Sequence, residues 1–175
     1  MKNILFAVIL LLMISGAYAQ NKNGAKVSSV KATKNTYVKE DNDKLRYVSY
    51  RNLRQELMAS PSSELYDTRA VIELLENKFI SNLLKEIFGI NKLKILPANE
   101  NIILSPTFSK EGNVIDVAFL MPKELPVTAN ELELLETGLK KNLKVKVVKF
   151  EEGKKYTFYG IRIRVSKILD GTYPY

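Results

Sequence analysis

TFSKEGNVIDVAFLM, residues 107–121, holds two β-rich apolar runs separated by Lys110-Glu111-Gly112-Asn113. The four intervening residues are turn formers, and Gly112 suits a position where φ > 0 is wanted. Upstream the first run extends to NIILSPTFS, residues 101–109. The second is NVIDVAFLM, residues 113–121, and Pro122 and Pro126 end it. A β-hairpin therefore sits in the second half of the chain. The flanking segments must supply its cover.

Downstream, Thr128-Ala-Asn-Glu131 has the Thr-x-x-Glu pattern of a capping box. It opens a helix to about Asn142, with Leu132, Leu135 and Leu139 on its core face. Gly138 costs roughly 1 kcal/mol relative to Ala inside a helix, and it suits a close approach to the sheet. LKVKVVKF, residues 143–150, alternates. Gly153 turns the chain, and KYTFYGIRIRVSKI, residues 155–168, alternates again. These two runs predict a second hairpin, with Val145 facing Ile161 and Lys144 opposite Arg162.

Upstream, Val71, Leu75, Phe79, Leu83 and Ile87 recur every four residues, flanked by Ile72, Leu74, Ile80 and Leu84. The stripe predicts one long helix over residues 65–88. Asp67 or Thr68 is placed to cap it and Gly89 to end it. SPSS at 60–63 breaks the chain before it. Residues 45–59 fit either a strand on Leu45, Tyr47 and Val48 or a short helix on Leu53 and Leu57. Residues 20–44 are polar, with room for one short strand among Val27, Val30, Tyr37 and Val38.

The expected order is helix, strand, strand, helix, strand, strand. This is an α+β fold, an antiparallel sheet with two helices packed on one face. The expected divisions are a polar, partly ordered leader over 20–62, one domain over 63–169 and a tail over 170–175.

The first nineteen residues have another character. Lys2 precedes an apolar run over residues 4–14, then Ala17-Tyr18-Ala19. This is the form of a cleavable signal, residues 1–19. The run is too short for a membrane span, which takes about 20 residues. No Cys follows to carry a lipid. The expected product is exported, periplasmic or extracellular, with no transmembrane segment in the mature chain.

Composition narrows the chemistry. The 175 residues include no Cys, His or Trp. Disulfides, Cys nucleophiles, Ser-His-Asp triads and His- or Cys-ligated zinc are excluded. No cofactor or metal is expected. Stability must come from a packed core, which roughly 155 residues suffice to build. Lys and Arg number 27 against 19 acids, for a net charge of +8, one unit of it from Lys2. Outside the cytoplasm this balance does not imply nucleic acid as a partner.

The arrangement of "TFSKEGNVIDVAFLM", "TANELELLETGLKKN" and "KKYTFYGIRIRVSKI" resembles the C-terminal domain of TonB and its relatives over residues 102–168. That resemblance implies a β-β-α-β core, here preceded by the long helix. The chain lacks the Pro-rich spacer and membrane anchor of the TonB transducer. "LKVKVVKFEEGKK" carries no Pro where the family has one. The resemblance therefore implies a fold and not energy transduction. The chain also resembles small exported proteins without an assigned activity.

Three sets of side chains are candidates for a site. Lys144, Lys146, Arg162 and Arg164 would share an outward face if the second hairpin forms. They make either a solvated face or a patch for an anionic glycan or lipid headgroup. Val114, Ala118 and Leu120 lie opposite Ile115, Val117, Phe119 and Met121. The strand is then apolar on both sides, as for a sheet covered twice or half exposed for binding. The leader or a second copy of the chain would be the cover. Among carboxylates, Glu131 is claimed by the cap. Glu133 and Glu136 lie off the leucine stripe and read as solvated. Asp116 falls on the face opposite Ile115 and Val117. Ser105, Ser109 and Lys110 lack the context of a Ser–Lys nucleophile.

No catalytic residue is assigned. The expected function is a non-enzymatic binding or assembly module of the cell envelope. It would act through an apolar sheet face or a sheet edge, 155–168 or 101–109, on an envelope protein or on itself. The alternative is a small hydrolase of envelope material that uses Asp or Glu.

Overall fold

The computed structural model describes residues 25–53, 63–75 and 78–172. The signal segment and the possible Leu53–Leu57 helix lie largely outside them. The elements in chain order are β1 Ala25–Lys31, β2 Thr36–Asn42, β3 Tyr47–Asn52, a 3-10 turn Ser63–Leu65 and β4 Val71–Leu74. Helices α1 Lys78–Phe88 and α2 Ile90–Leu93 follow, then β5 Asn101–Ser109 and β6 Val114–Pro122. The chain ends with α3 Ala129–Asn142, β7 Val145–Lys149, β8 Tyr156–Phe158, β9 Ile161–Arg164 and α4 Val165–Asp170.

Seven strands make one antiparallel sheet in the order β1-β2-β3-β6-β5, with β8 and β9 both paired to the far side of β5. Helices α1, α3 and α4 pack on one face over a core that includes Tyr37, Phe119, Ile102, Leu104, Leu84 and Leu135. Strands β4 and β7 pair separately as a two-stranded sheet. The α+β class and the mostly antiparallel sheet agree with the sequence expectation.

The central hairpin forms as expected. Ser109 N–H bonds to Asn113 O at 2.9 Å, and Gly112 N–H to Ser109 O at 2.9 Å. The capping box forms too: Glu131 N–H donates to Thr128 Oγ1 at 3.3 Å, and Thr128 N–H to Glu131 Oε2 at 2.7 Å.

Several expectations are corrected. The stretch read as a polar leader supplies β1, β2 and β3. They extend the sheet sideways rather than cover it. Their inward residues Tyr37, Val48 and Tyr50 are buried, while most of their other side chains are half-exposed or exposed. The long helix is shorter: residues 71–74 form β4, and α1 begins at Lys78. Ile72 and Leu74 turn to the core with a period of two, and Val71 and Leu75 stay exposed. Asp67 caps no helix. Its carboxylate instead accepts the backbone N–H groups of Arg69 at 2.8 Å and Glu151 at 2.7 Å.

The second hairpin does not form. β7 goes to β4, and the run 155–168 splits at Gly160 into β8 and β9, then ends in α4. The strand-turn-strand-helix order over 101–142 is present, yet after α3 the chain visits the second sheet before it returns to the first. β5 lies inside the sheet, so 101–109 is no edge. Among the described residues the outer strands are β1 on one side and β8 with β9 on the other. Gly138 meets another helix rather than the sheet: a Cβ there would lie 2.8 Å from Leu83 Cδ1 on α1.

Candidate functional site

The face of the main sheet opposite the helices carries the candidate site. A β-bulge sets it. Thr107 pairs with Asp116, but Phe108 pairs with Val114, so Ile115 is the extra residue of β6. The bulge switches the alternation. Val114 turns into the core and is buried, so it is no part of an outer binding face. Asp116, Ala118 and Leu120 remain on the helix-free face.

Strand register then assembles a small hollow. Phe158 of β8, Thr107 of β5 and Asp116 of β6 lie in one row across the sheet. Ser105, Ala118 and Arg51 lie in the next. Tyr66 comes over the rows from the segment after the 3-10 turn, held by an isolated bridge to Tyr156 and by ring contact with Phe158 at 6.3 Å. The Asp67 turn anchors it, with Asp67 N–H on Tyr156 O and Thr157 Oγ1 on Asp67 O, each at 2.8 Å. These seven residues line a cavity of about 300 Å³. A second, larger hollow of about 600 Å³ lies further along the same face, between Glu40, Tyr47, Ser49 and Leu120.

Asp116 is the unusual member. It is 9% exposed, and its Oδ1 is buried without a hydrogen-bond partner. Burial pushes its carboxyl up to about 6, and Glu136 adds to the rise; the Val117 N–H, Lys140 and Arg51 oppose it. An unpaired buried acceptor costs stability. Natural folds place such groups where they work. Arg51 is ion-paired to Glu40 at the rim of the cavity. Burial also raises the Tyr66 phenol.

This predicts a pH-dependent gain from Asp116→Asn. The folded carboxyl sits above its unfolded value. Its contribution is therefore most favourable below the unfolded value and is lost as pH rises through about 6. The variant should match wild type near pH ~4 and exceed it by about 1–2 kcal/mol at pH ~7.5, once partial solvent screening is allowed for. Urea titrations at the two pH values measure the difference.

The residues anticipated from sequence separate. Ala118 and Leu120 share the helix-free face with Arg162 and Arg164, which pair opposite Ile103 and Asn101. Lys144 and Lys146 belong to the other sheet region. Lys144 Nζ bonds to Asn113 Oδ1 at 2.6 Å, and Lys146 pairs with Glu73 at 3.2 Å. The four basic side chains therefore do not form one patch. Glu136 is not solvated but buried, and it accepts from Tyr37 and Asn52. Sequence reasoning missed Arg51, Tyr66, Thr107 and Phe158 altogether. The one available signal was Asp116, a carboxylate inside an otherwise apolar strand.

Among the described residues no group of three or more acidic, His or Cys side chains is placed to hold a metal. Nor is any helix there long and apolar enough to cross a membrane.

These features define an α+β domain with a sheet covered on one side. The chain matches no family model and no curated protein. It is similar to a solved structure, a DUF5043 family protein from Bacteroides uniformis, with a TM-score of 0.57 and 17% identity. The match covers 82% of this chain and 87% of that one. At that identity the likeness speaks for the fold alone.

Proposed function

We propose that the chain is an exported, non-enzymatic binding module of the cell envelope that works through the helix-free face of its main sheet. The observation that carries this is the Asp116 cavity: a buried carboxylate with one oxygen unpartnered among the described residues, on the sheet face opposite the described helices. A preformed hollow with a few convergent polar groups is the usual form of a binding site. The apparent signal supports the compartment. Among the described residues the cavity lining holds one carboxylate, whereas glycoside hydrolysis uses two. This favours binding over the hydrolase alternative.

The test is retention of envelope material by immobilised protein of residues 20–175. Ser105→Arg sets a long charged side chain across the cavity. Retention should fall to background in that variant while its thermal unfolding stays cooperative. Unchanged retention would overturn the reading. Loss with Arg162→Pro but not with Ser105→Arg would instead move recognition to the β9 edge.

A further inference from the structure

The chemistry of the Asp116 cavity narrows its occupant, given the binding role proposed above. Asp116 Oδ1 needs a donor, either N–H or O–H, because it is buried and unpartnered. A small anion has no place against that carboxylate. A free organic cation meets a chain of net charge +8, with Arg51 in the wall. A purely apolar ligand would leave Asp116 Oδ1 without a partner. The remaining class is a neutral polyhydroxyl compound with an apolar face.

The cavity suits that description. Phe158 is 52% exposed, with its ring tilted 60° to that of Tyr66. An aromatic ring held this way is a stacking surface for the C–H face of a ring. Ser105 presents a hydroxyl that both donates and accepts, while the Thr107 hydroxyl is bonded to the Tyr66 phenol. Arg51 Nη2 is engaged by Glu40, and a guanidinium has five N–H donors in all. A volume of about 300 Å³ is at the bottom of the usual range for ligand pockets, so the occupant is of monosaccharide size.

We infer that the Asp116 cavity is a subsite for one neutral sugar ring of an envelope glycan. One sugar hydroxyl donates to Asp116 Oδ1 in a charge-assisted bond. Its oxygen accepts from Arg51 or Ser105, and the ring's apolar face lies on Phe158. No bond is made or broken.

The test is saturation-transfer NMR on the protein of residues 20–175. The probes are methyl glycosides of neutral hexoses, 6-deoxyhexoses, pentoses and N-acetylhexosamines, with methylammonium and inorganic phosphate alongside. At least one glycoside should bind with a Kd in the millimolar range, as expected of a single ring. Asp116→Asn should weaken it about tenfold. Phe158→Ala should remove the transfer signal, and Ser29→Ala, on β1 of the same face, should leave it unchanged. Asp116→Asn is not at risk of failing to fold, since it is expected to be the more stable protein at neutral pH.

The inference is overturned if no glycoside binds at about 50 mM, if methylammonium or phosphate binds instead, or if binding survives both Asp116→Asn and Phe158→Ala. If no glycoside binds while Ser105→Arg still abolishes envelope retention, the sugar assignment falls and the binding face stands.

Discussion

Gly112→Ala should destabilise the protein by about 3 kcal/mol or more. Gly112 has φ of 80°, where an L side chain costs roughly 1–2 kcal/mol. The larger effect is steric. A Cβ at this position would lie 2.1 Å from the Val145 carbonyl oxygen. That atom is backbone at the start of β7, so no side-chain rotation relieves the clash. The turn and β7 must separate, and with them go the Val145 N–H bond to Gly112 O at 3.3 Å and the bridge between Asn113 and Lys144. Gly153→Ala is the internal control. Its φ is also 80°, but a Cβ there meets nothing within 4 Å. Urea unfolding of both variants should show Gly112→Ala costing at least ~2 kcal/mol more than Gly153→Ala, an upper-range value for a surface turn. Equal costs would mean that β7 does not rest on the hairpin turn.

The second large effect belongs to Glu136. It is 2% exposed on α3. Tyr37 Oη donates to it at 2.6 Å and Asn52 Nδ2 at 3.0 Å, and Lys140 Nζ lies 2.7 Å away. Burial and the neighbouring Glu136 drive the Tyr37 phenol far upward, so it stays a donor at any working pH. Removing Glu136 withdraws the charged acceptor that joins α3 to β2 and β3. Glu136→Ala should cost about 3 kcal/mol. Tyr37→Phe deprives a buried carboxylate of a donor and should cost about 1–2 kcal/mol. In a double-mutant cycle by chemical denaturation, the pair should couple by more than ~1 kcal/mol. Additive costs would show that the two side chains do not share one network.

What was legible in the sequence is what local physics decides. The Lys110–Asn113 turn, the capping box at Thr128 and the stop at Gly89 depend on neighbours a few residues away, and each formed. The errors came where tertiary pairing chooses between equal local options. Val71 and Leu75 fit a helical stripe, yet Ile72 and Leu74 fit a strand equally well, and β7 decides the matter by pairing with β4. The leader looked uncommitted because its strands carry polar side chains outward. Tyr37 and Tyr50 are core residues only once β3 lies against β6.

The site was less legible than the fold. Asp116 was placed on the correct face by simple alternation. Tyr66 and Phe158, which line its hollow, lie some 50 and 42 positions away in the chain. The bulge at Ile115 altered the face of Val114 but not of Ala118 or Leu120, and no local signal marks it. Glu136 was misjudged because a helical wheel does not show that Tyr37 of β2 and Asn52 of β3 lie beyond the leucine stripe.

The pairing of β3 with β6 also sets an order of assembly. Val48 and Met121 are register partners, although 73 residues separate them. The first two hairpins close on their own residues, but they have no apolar cover until β5, β6 and α3 exist. Closing so long a loop is slow compared with forming a helix or a tight turn. Amide exchange is therefore expected to be faster in β1–β3 than in β5 and β6.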